Sequence, residues 1–139
     1  MNFIQKWIHN YKWKNFDKKL FQDIVMEFVR NGYKVDIPYE GFKKSRLDLR
    51  VKYKKQQIYF RFIHGDLLGV GTVNYLCDFV KARKEIVFLV VTEDISDFYY
   101  NALNKQYIKV MIAPTIEDLY KAVHHQMIFN AVRNEKIHN

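Results

Sequence analysis

One aspartate in a strongly basic stretch has the surroundings best suited to chemistry. Asp48 lies between Arg46 and Arg50 in residues 46–53, whose alternating polar and apolar side chains predict a β-strand. A second alternating segment, residues 57–63, follows a short polar turn. On such strands the apolar side chains share one face and the charged ones the other. The pattern predicts a sheet face on which a lone carboxylate stands among cations.

Two kinds of chemistry suit a carboxylate in this setting. Asp48 can ligate a divalent metal, or it can pair with a guanidinium that supplies the positive charge of a metal. Arg61, on the second strand, is expected across from Asp48 and stays protonated, so it cannot act as a general base. The plainer alternative is a strand aspartate that is simply paired to a neighbour.

Basic residues are densest in and just before the first of these strands. The 139-residue chain has a formal net charge of +8, and such an excess of Lys and Arg attracts nucleic acid or another polyanion. The candidate contacts with DNA or RNA are Lys43, Lys44, Arg46, Arg50, Lys52 and Arg61. Lys54 and Lys55 are interpreted as a solvated hairpin tip. A basic protein that binds nothing specific is the alternative.

Length and composition favour a single intracellular domain. The chain is 49% hydrophobic and 17% aromatic, which is enough for a real core. A single cysteine, Cys77, excludes an internal disulfide and fits a reducing compartment. No signal peptide is predicted, and no apolar run approaches the length of a spanning helix, so no membrane partner is expected.

The periodicity of apolar residues predicts a layered α/β fold. A helix is predicted over residues 16–31, a strand over 33–37, and then the two strands described above. Later elements alternate: a helix capped by Thr72, a strand, a helix capped by Ser96, a strand, and a final helix capped by Thr115. The order is αβββαβαβα, a sandwich with a mixed central sheet flanked by helices. Residues 1–15 form a separate aromatic and basic segment, 16–131 the domain, and 132–139 a frayed tail.

Several segments together resemble the PD-(D/E)xK nuclease superfamily, in particular Mrr-like restriction endonucleases and archaeal-type Holliday junction resolvases. They are the helix and strand entry Phe21-Gln22-Asp23-Ile24-Val25 and Asn31-Gly32-Tyr33-Lys34-Val35, the strand Arg46-Leu47-Asp48-Leu49-Arg50-Val51, the strand Gln57-Ile58-Tyr59-Phe60-Arg61, and Phe88-Leu89-Val90-Val91-Thr92 with Ile95-Ser96. The resemblance covers roughly residues 16–123 and implies a restriction-endonuclease-like fold. It also implies a divalent metal held by the aspartate and by a Glu or Gln, with a lysine that orients the attacking water.

The departures from this pattern fall on the catalytic positions. Asp48 matches the metal-binding aspartate, but the Glu/Gln position falls on Tyr59 and the lysine position on Arg61. The glutamate of the first helix falls on Gln22. A neutral phenol does not offer the hard anionic oxygen that Mg²⁺ prefers. The resemblance therefore implies a vestigial site, with Asp48, Tyr59, Arg61 and Gln22 at former catalytic positions and no bound metal.

Two other functions stay open at this stage. A working endonuclease would use Mg²⁺ or Mn²⁺ on Asp48, with Asp36, Glu40 or Asp66 as a relocated second carboxylate. A protein-interaction module, as a homodimer or within a larger complex, would involve no nucleic acid. The resolvase-like resemblance and the many aromatic residues are compatible with pairing of two copies.

The remaining candidate residues carry weaker signals. Gly65, Gly69 and Gly71 surround a loop without the spacing of a phosphate-binding P-loop. His64 follows the second strand and can stand near the site as a replacement base. His124 and His125 have no further Cys or His at zinc-ligand spacing, so a zinc site is not predicted.

Overall fold

The computed structural model describes residues 18–36 and 47–138 of the chain. Its helices are α1 (Lys18–Arg30), α2 (Val70–Arg83), α3 (Asp97–Leu103) and α4 (Ile116–His138). Its strands are β1 (Lys34–Asp36), β2 (Leu49–Tyr53), β3 (Gln56–Ile63), β4 (Val87–Val91) and β5 (Ile108–Ile112), and a 3-10 turn spans Gly65–Leu67. Within the described residues, the predicted order of helices and strands is confirmed.

The five strands form one mixed sheet in the order β1-β2-β3-β4-β5. Strands β1, β2 and β3 pair antiparallel, and β3, β4 and β5 pair parallel. The antiparallel half follows from the short connections between neighbouring strands, and the parallel half from the crossover helices α2 and α3. The prediction of an α/β fold with a mixed sheet is confirmed.

Apolar side chains cover the sheet on both faces. On one face α1 and α4 pack against β2 and β3, with the ring of Phe21 5.1 Å from that of Phe62. On the other face α2 and α3 pack against β3, β4 and β5 around Leu76, Leu89 and Leu103. Strand β4 is buried along its whole length, as its continuous apolar run predicts.

The structure differs from the sequence prediction at two places. Helix α2 begins at Val70 with Gly69 as N-cap, so Thr72 lies inside the helix, because the backbone N–H of Val73 already donates to the Gly69 carbonyl. Leu47 packs in the α2–α3 layer rather than beside Leu49, because the strand geometry begins only at Leu49. Helix α4 extends to His138, and the fraying of residues 132–139 stays a prediction.

Some predictions concern residues outside the described ranges. The aromatic and basic segment 1–15 is among them, as are Glu40, Lys43, Lys44 and Arg46. Within the described part of the chain, no helix combines the length and the apolar character that crossing a membrane requires.

Candidate functional site

Asp48 and Arg61 form a buried ion pair where β2 begins. The Nη1 atom of Arg61 donates to both carboxylate oxygens of Asp48, at 3.2 Å from Oδ1 and 3.4 Å from Oδ2. The Asp48 side chain is only 7% exposed and the Arg61 side chain only 13%. The predicted pairing of Asp48 with Arg61 across the two strands is confirmed. A guanidinium therefore occupies space directly beside the carboxylate that the sequence singled out.

Asp48 also completes the hydrogen-bonding ladder between β2 and β3. Its backbone N–H donates to the Phe60 carbonyl at 2.8 Å, and its Oδ2 atom accepts the backbone N–H of Phe62 at 2.7 Å. The side chain takes the place of a backbone carbonyl just before β2 becomes regular. Because a buried unpaired N–H costs about 1–3 kcal/mol, this carboxylate has a structural task in addition to its ion pair.

Asp36 is the second carboxylate on the same sheet face. The β1–β2 register sets Asp36 opposite Arg50, and Asp36 Oδ2 accepts from Arg50 Nη2 at 2.8 Å and Nε at 3.1 Å. Lys52 Nζ lies 3.9 Å from the same oxygen. The expectation of a lone carboxylate among cations is therefore wrong, since β1, a separate segment of sequence, supplies a second one.

The pairing with Asp36 has an electrostatic consequence for Arg50. Burial by itself lowers the pKa of Arg50, but its hydrogen bonds with Asp36 and Tyr59 outweigh that effect and raise the pKa above its usual value. Arg50 stays a permanent cation. It can orient a carboxylate or attract an anion, but it cannot exchange protons.

Tyr59 lies with a different group of residues from Asp48. In the register of β2 with β3 it stands opposite Arg50, and its hydroxyl accepts from Arg83 Nη1 at 3.5 Å. Arg83 also lies 4.0 Å from Glu85 and over the ring of Phe79, at 5.1 Å from the centroid. The structure therefore joins Tyr59 to Arg50 in β2 and to Arg83 at the end of α2.

Gln22 lies on the opposite side of the sheet from the ion pair. It is half-buried on α1, whose buried residues pack against Phe60 and Phe62 on the α1–α4 face. Arg61 lies between these two phenylalanines in β3, so its side chain projects to the other face. Gln22 as a former catalytic position stays a prediction.

The loops after β3 and β4 meet near the same end of the sheet as Asp48. His64 Nδ1 lies 3.2 Å from Thr92 Oγ1. Gly65 packs so closely against the second loop that an added Cβ would lie 2.6 Å from Glu93 Cγ. The sequence singled out both His64 and Thr92, but no pattern in it indicated that they contact each other.

In the described part of the chain, the residues around Asp48 do not suit the divalent metal that the resemblance implies. Among the described residues, no group of three or more His, Cys, Asp or Glu side chains is placed to hold a metal ion. The arginine beside Asp48 also repels a cation and competes for the same oxygens. Asp36, the relocated ligand of the active-nuclease alternative, is engaged by Arg50, while Glu40 and the side chain of Asp66 lie outside the described part of the structure.

No protein-family model matches the sequence, and no curated protein matches it either.

Proposed function

We propose that this protein is a catalytically degenerate, nuclease-like domain that binds nucleic acid or serves in a nucleic-acid-processing assembly. The observation that carries the proposal is the buried ion pair, in which Arg61 Nη1 lies 3.2 Å from Asp48 Oδ1. A fixed guanidinium supplies positive charge where a nuclease of the resembled superfamily would hold its metal.

The strand register supports this proposal. Two side chains that ligate one ion on neighbouring strands need to be close cross-strand neighbours. Leu49 pairs with Phe60, so Asp48, one residue earlier, stands across from Arg61 rather than Tyr59. Arg61 therefore occupies the space that a second metal ligand beside Asp48 would need. Its guanidinium can neither bind a metal nor act as a general base.

The polar face of the antiparallel half supports binding of a polyanion. We define the polar face by the side chains that alternate away from the α1–α4 core: Lys34, Asp36, Asp48, Arg50, Lys52, Gln57, Tyr59 and Arg61. Lys34 is exposed and the Lys52 side chain is 33% exposed. The two lysines lie opposite each other on the neighbouring strands β1 and β2. Their exposure favours these two lysines over Arg61 as phosphate contacts, because Arg61 is committed to Asp48.

One cleavage assay separates the proposal from an active nuclease. Labelled duplex DNA, single-stranded DNA and RNA are incubated with the protein in Mn²⁺ or in EDTA, with Asp48→Asn alongside. We expect intact substrates in every lane. Mn²⁺-dependent cleavage that is lost in Asp48→Asn would overturn the proposal and establish an enzyme with a rearranged ligand set.

A second assay tests binding at the polar face. Lys34→Glu/Lys52→Glu should weaken duplex binding and reduce its salt dependence, by about 0.9 in log–log slope for each phosphate that the protein no longer neutralises. Lys105→Glu/Lys109→Glu is the matched control, because it changes net charge equally at exposed positions in and before β5. Equal losses in both variants would indicate a general charge effect. No binding by the unaltered protein, together with a stable oligomer, would favour the protein-interaction module instead.

A further inference from the structure

Four aromatic rings form a continuous cluster beside the β2–β3 turn. We call it the aromatic surface, defined by Tyr33, Tyr53, Tyr120 and His124. Tyr33 is its centre: its ring centroid lies 5.2 Å from that of Tyr53, 5.9 Å from that of Tyr120 and 6.5 Å from that of His124. His124 also stacks on Tyr120 at an interplanar angle of 11°, and its Nδ1 atom lies 2.8 Å from the Tyr33 hydroxyl.

The outer rings of this cluster are accessible while its centre is not. Tyr33 is buried, but Tyr53 is 37% exposed and His124 is exposed on the side of α4. If the cluster served only to close the core, burying these rings as well would stabilise the folded protein further. The hydrogen bond and the packing of Tyr33 hold the two exposed rings in fixed positions without a flexible loop between them.

Two lysines lie at the Tyr53 end of the aromatic surface. Lys54 Nζ lies 5.6 Å from the centroid of the Tyr53 ring, and Lys55 beside it in the turn is exposed. Residues 49–63 and 119–130, which supply three of the four rings, contain no Asp or Glu. Glu117, in the first turn of α4, is paired with Lys121 at 2.8 Å. The local charge is therefore complementary to a phosphate backbone.

We propose that the aromatic surface binds single-stranded nucleic acid by stacking unpaired bases on Tyr53 and His124, with Lys54 and Lys55 contacting the phosphates. The inference rests on the proposed function and names a substrate class for it. Aromatic rings combined with cations are the usual elements of such binding, because every base offers a π-face. Lys54 is an exposed, flexible side chain, so a base can displace it from the ring toward the backbone phosphate.

The aromatic surface is separate from the polar face. The Tyr53 side chain lies on the α1–α4 face of the sheet, where it contacts Tyr33, while the side chain of its neighbour Lys52 projects to the other face. Bases in a duplex are already stacked on each other and cannot reach protein rings in this way. Loss of an exposed ring should therefore affect single strands and leave duplex binding at the polar face unchanged.

Fluorescence anisotropy with labelled oligonucleotides of about 20 nucleotides tests the proposal. The probes are oligo-dT, oligo-U and a duplex, each titrated at several salt concentrations. Tyr53→Ala should weaken binding of oligo-dT roughly tenfold without changing its salt slope, because stacking releases no counterions. Tyr53→Phe keeps the ring and should bind as the unaltered protein does. Lys54→Gln/Lys55→Gln should instead lower the slope by about 0.7 for each phosphate that is no longer neutralised.

Phe98→Ala and His124→Ala complete the design. Phe98 is 73% exposed on α3, away from the aromatic surface, so its loss should have no effect. His124→Ala keeps the test decisive if Tyr53→Ala fails to fold. Unchanged single-strand binding in both Tyr53→Ala and His124→Ala, or equal losses for duplex and single strand, would overturn this inference while the proposed function stands. No binding of any probe by the unaltered protein would overturn both. A comparison of oligo-dT with oligo-U identifies which strand chemistry is preferred.

Discussion

At the scale of single residues, Asp48 has two structural partners of different kinds. It balances the charge of Arg61, and it accepts the backbone N–H of Phe62. Removing one partner of a buried ion pair leaves the other charge uncompensated, which costs about 3–5 kcal/mol in well-buried cases. Arg61 keeps some exposure, which reduces that cost.

Substitution of Asp48 should separate these two contributions. Asp48→Asn removes the charge but keeps an oxygen for the Phe62 N–H, whereas Asp48→Ala removes both. We expect Asp48→Ala to lower the free energy of unfolding by about 3 kcal/mol and Asp48→Asn by less. Urea denaturation measures both values. A double-mutant cycle with Arg61→Gln tests the coupling of the pair. If the loss of stability in the double variant equals the sum of the losses in the two single variants, the two side chains are not coupled.

Tyr33 should make stability depend on alkaline pH. Burial raises the pKa of Tyr33 to about 12, with Tyr120 and Tyr53 adding to the effect. Tyrosine in an unfolded chain ionises near pH 10, so the unfolded state loses its proton first as the pH rises. The stabilisation is complete below about pH 10 and is lost between about pH 10 and pH 12.

Chemical denaturation across this pH range tests the role of Tyr33. Tyr33→Phe should be less stable at neutral pH, because it loses the hydrogen bond to His124, but it should show a shallower decline at alkaline pH. Equal declines in both proteins would assign the effect to other groups.

The sequence predicted part of the residue-scale arrangement. Alternation within two neighbouring strands sufficed to pair Asp48 with Arg61, because both lie in one hairpin. It could not predict Asp36 beside Arg50 or Arg83 beside Tyr59, since each contact joins segments whose register only the folded sheet fixes. Contacts between distant segments leave no periodic signal in the sequence.

At the scale of secondary-structure elements, two of the three predicted helix N-caps are correct and one is wrong. Ser96 and Thr115 act as N-caps as expected, accepting from the backbone N–H groups of Tyr99 and Asp118. The prediction of Thr72 as a cap was wrong. Helix α2 starts at Val70 and its N-cap is Gly69, which has no side chain that could accept a capping hydrogen bond. Sequence identifies a cap when a side chain performs the capping, and it offers no signal when the backbone alone does.

The end of α2 offers a test at this scale. Lys84 caps the helix with φ 56°, in the left-handed region where glycine is favoured. Lys84→Gly should raise the free energy of unfolding by roughly 0.5–1 kcal/mol, because relief of the backbone strain exceeds the added entropy of the unfolded chain. The measurement is the midpoint of urea denaturation.

Lys81→Gly is the matched control for that change. Lys81 lies one turn earlier inside the same helix and is also exposed, so glycine there should lower stability by about 1 kcal/mol. If both variants were destabilised, the left-handed conformation of Lys84 would not be a source of strain.

At the scale of the whole molecule, the two helical layers share a sheet whose centre is covered on both sides. Strands β3 and β4 each pair with two neighbours, while β1 and β5 are edges within the described residues. Amide exchange is slowest where opening requires the largest cooperative unit to unfold.

Hydrogen exchange should therefore follow the order of strands in the sheet. We expect the amides of β3 and β4 to be protected longest and those of β1 and β5 to exchange earliest, as measured by mass spectrometry of peptide fragments. Protection of β5 equal to that of β4 would indicate that another element or a second copy covers this edge.

The Asp48 carboxylate, which accepts the Phe62 N–H in place of a backbone carbonyl, affects what an aspartate at this position indicates in a related sequence. Substitutions of Asp48 would be disfavoured by folding alone, whether or not a protein cleaves anything, because Phe62 requires an acceptor there. An aspartate retained at such a position is then a marker of architecture.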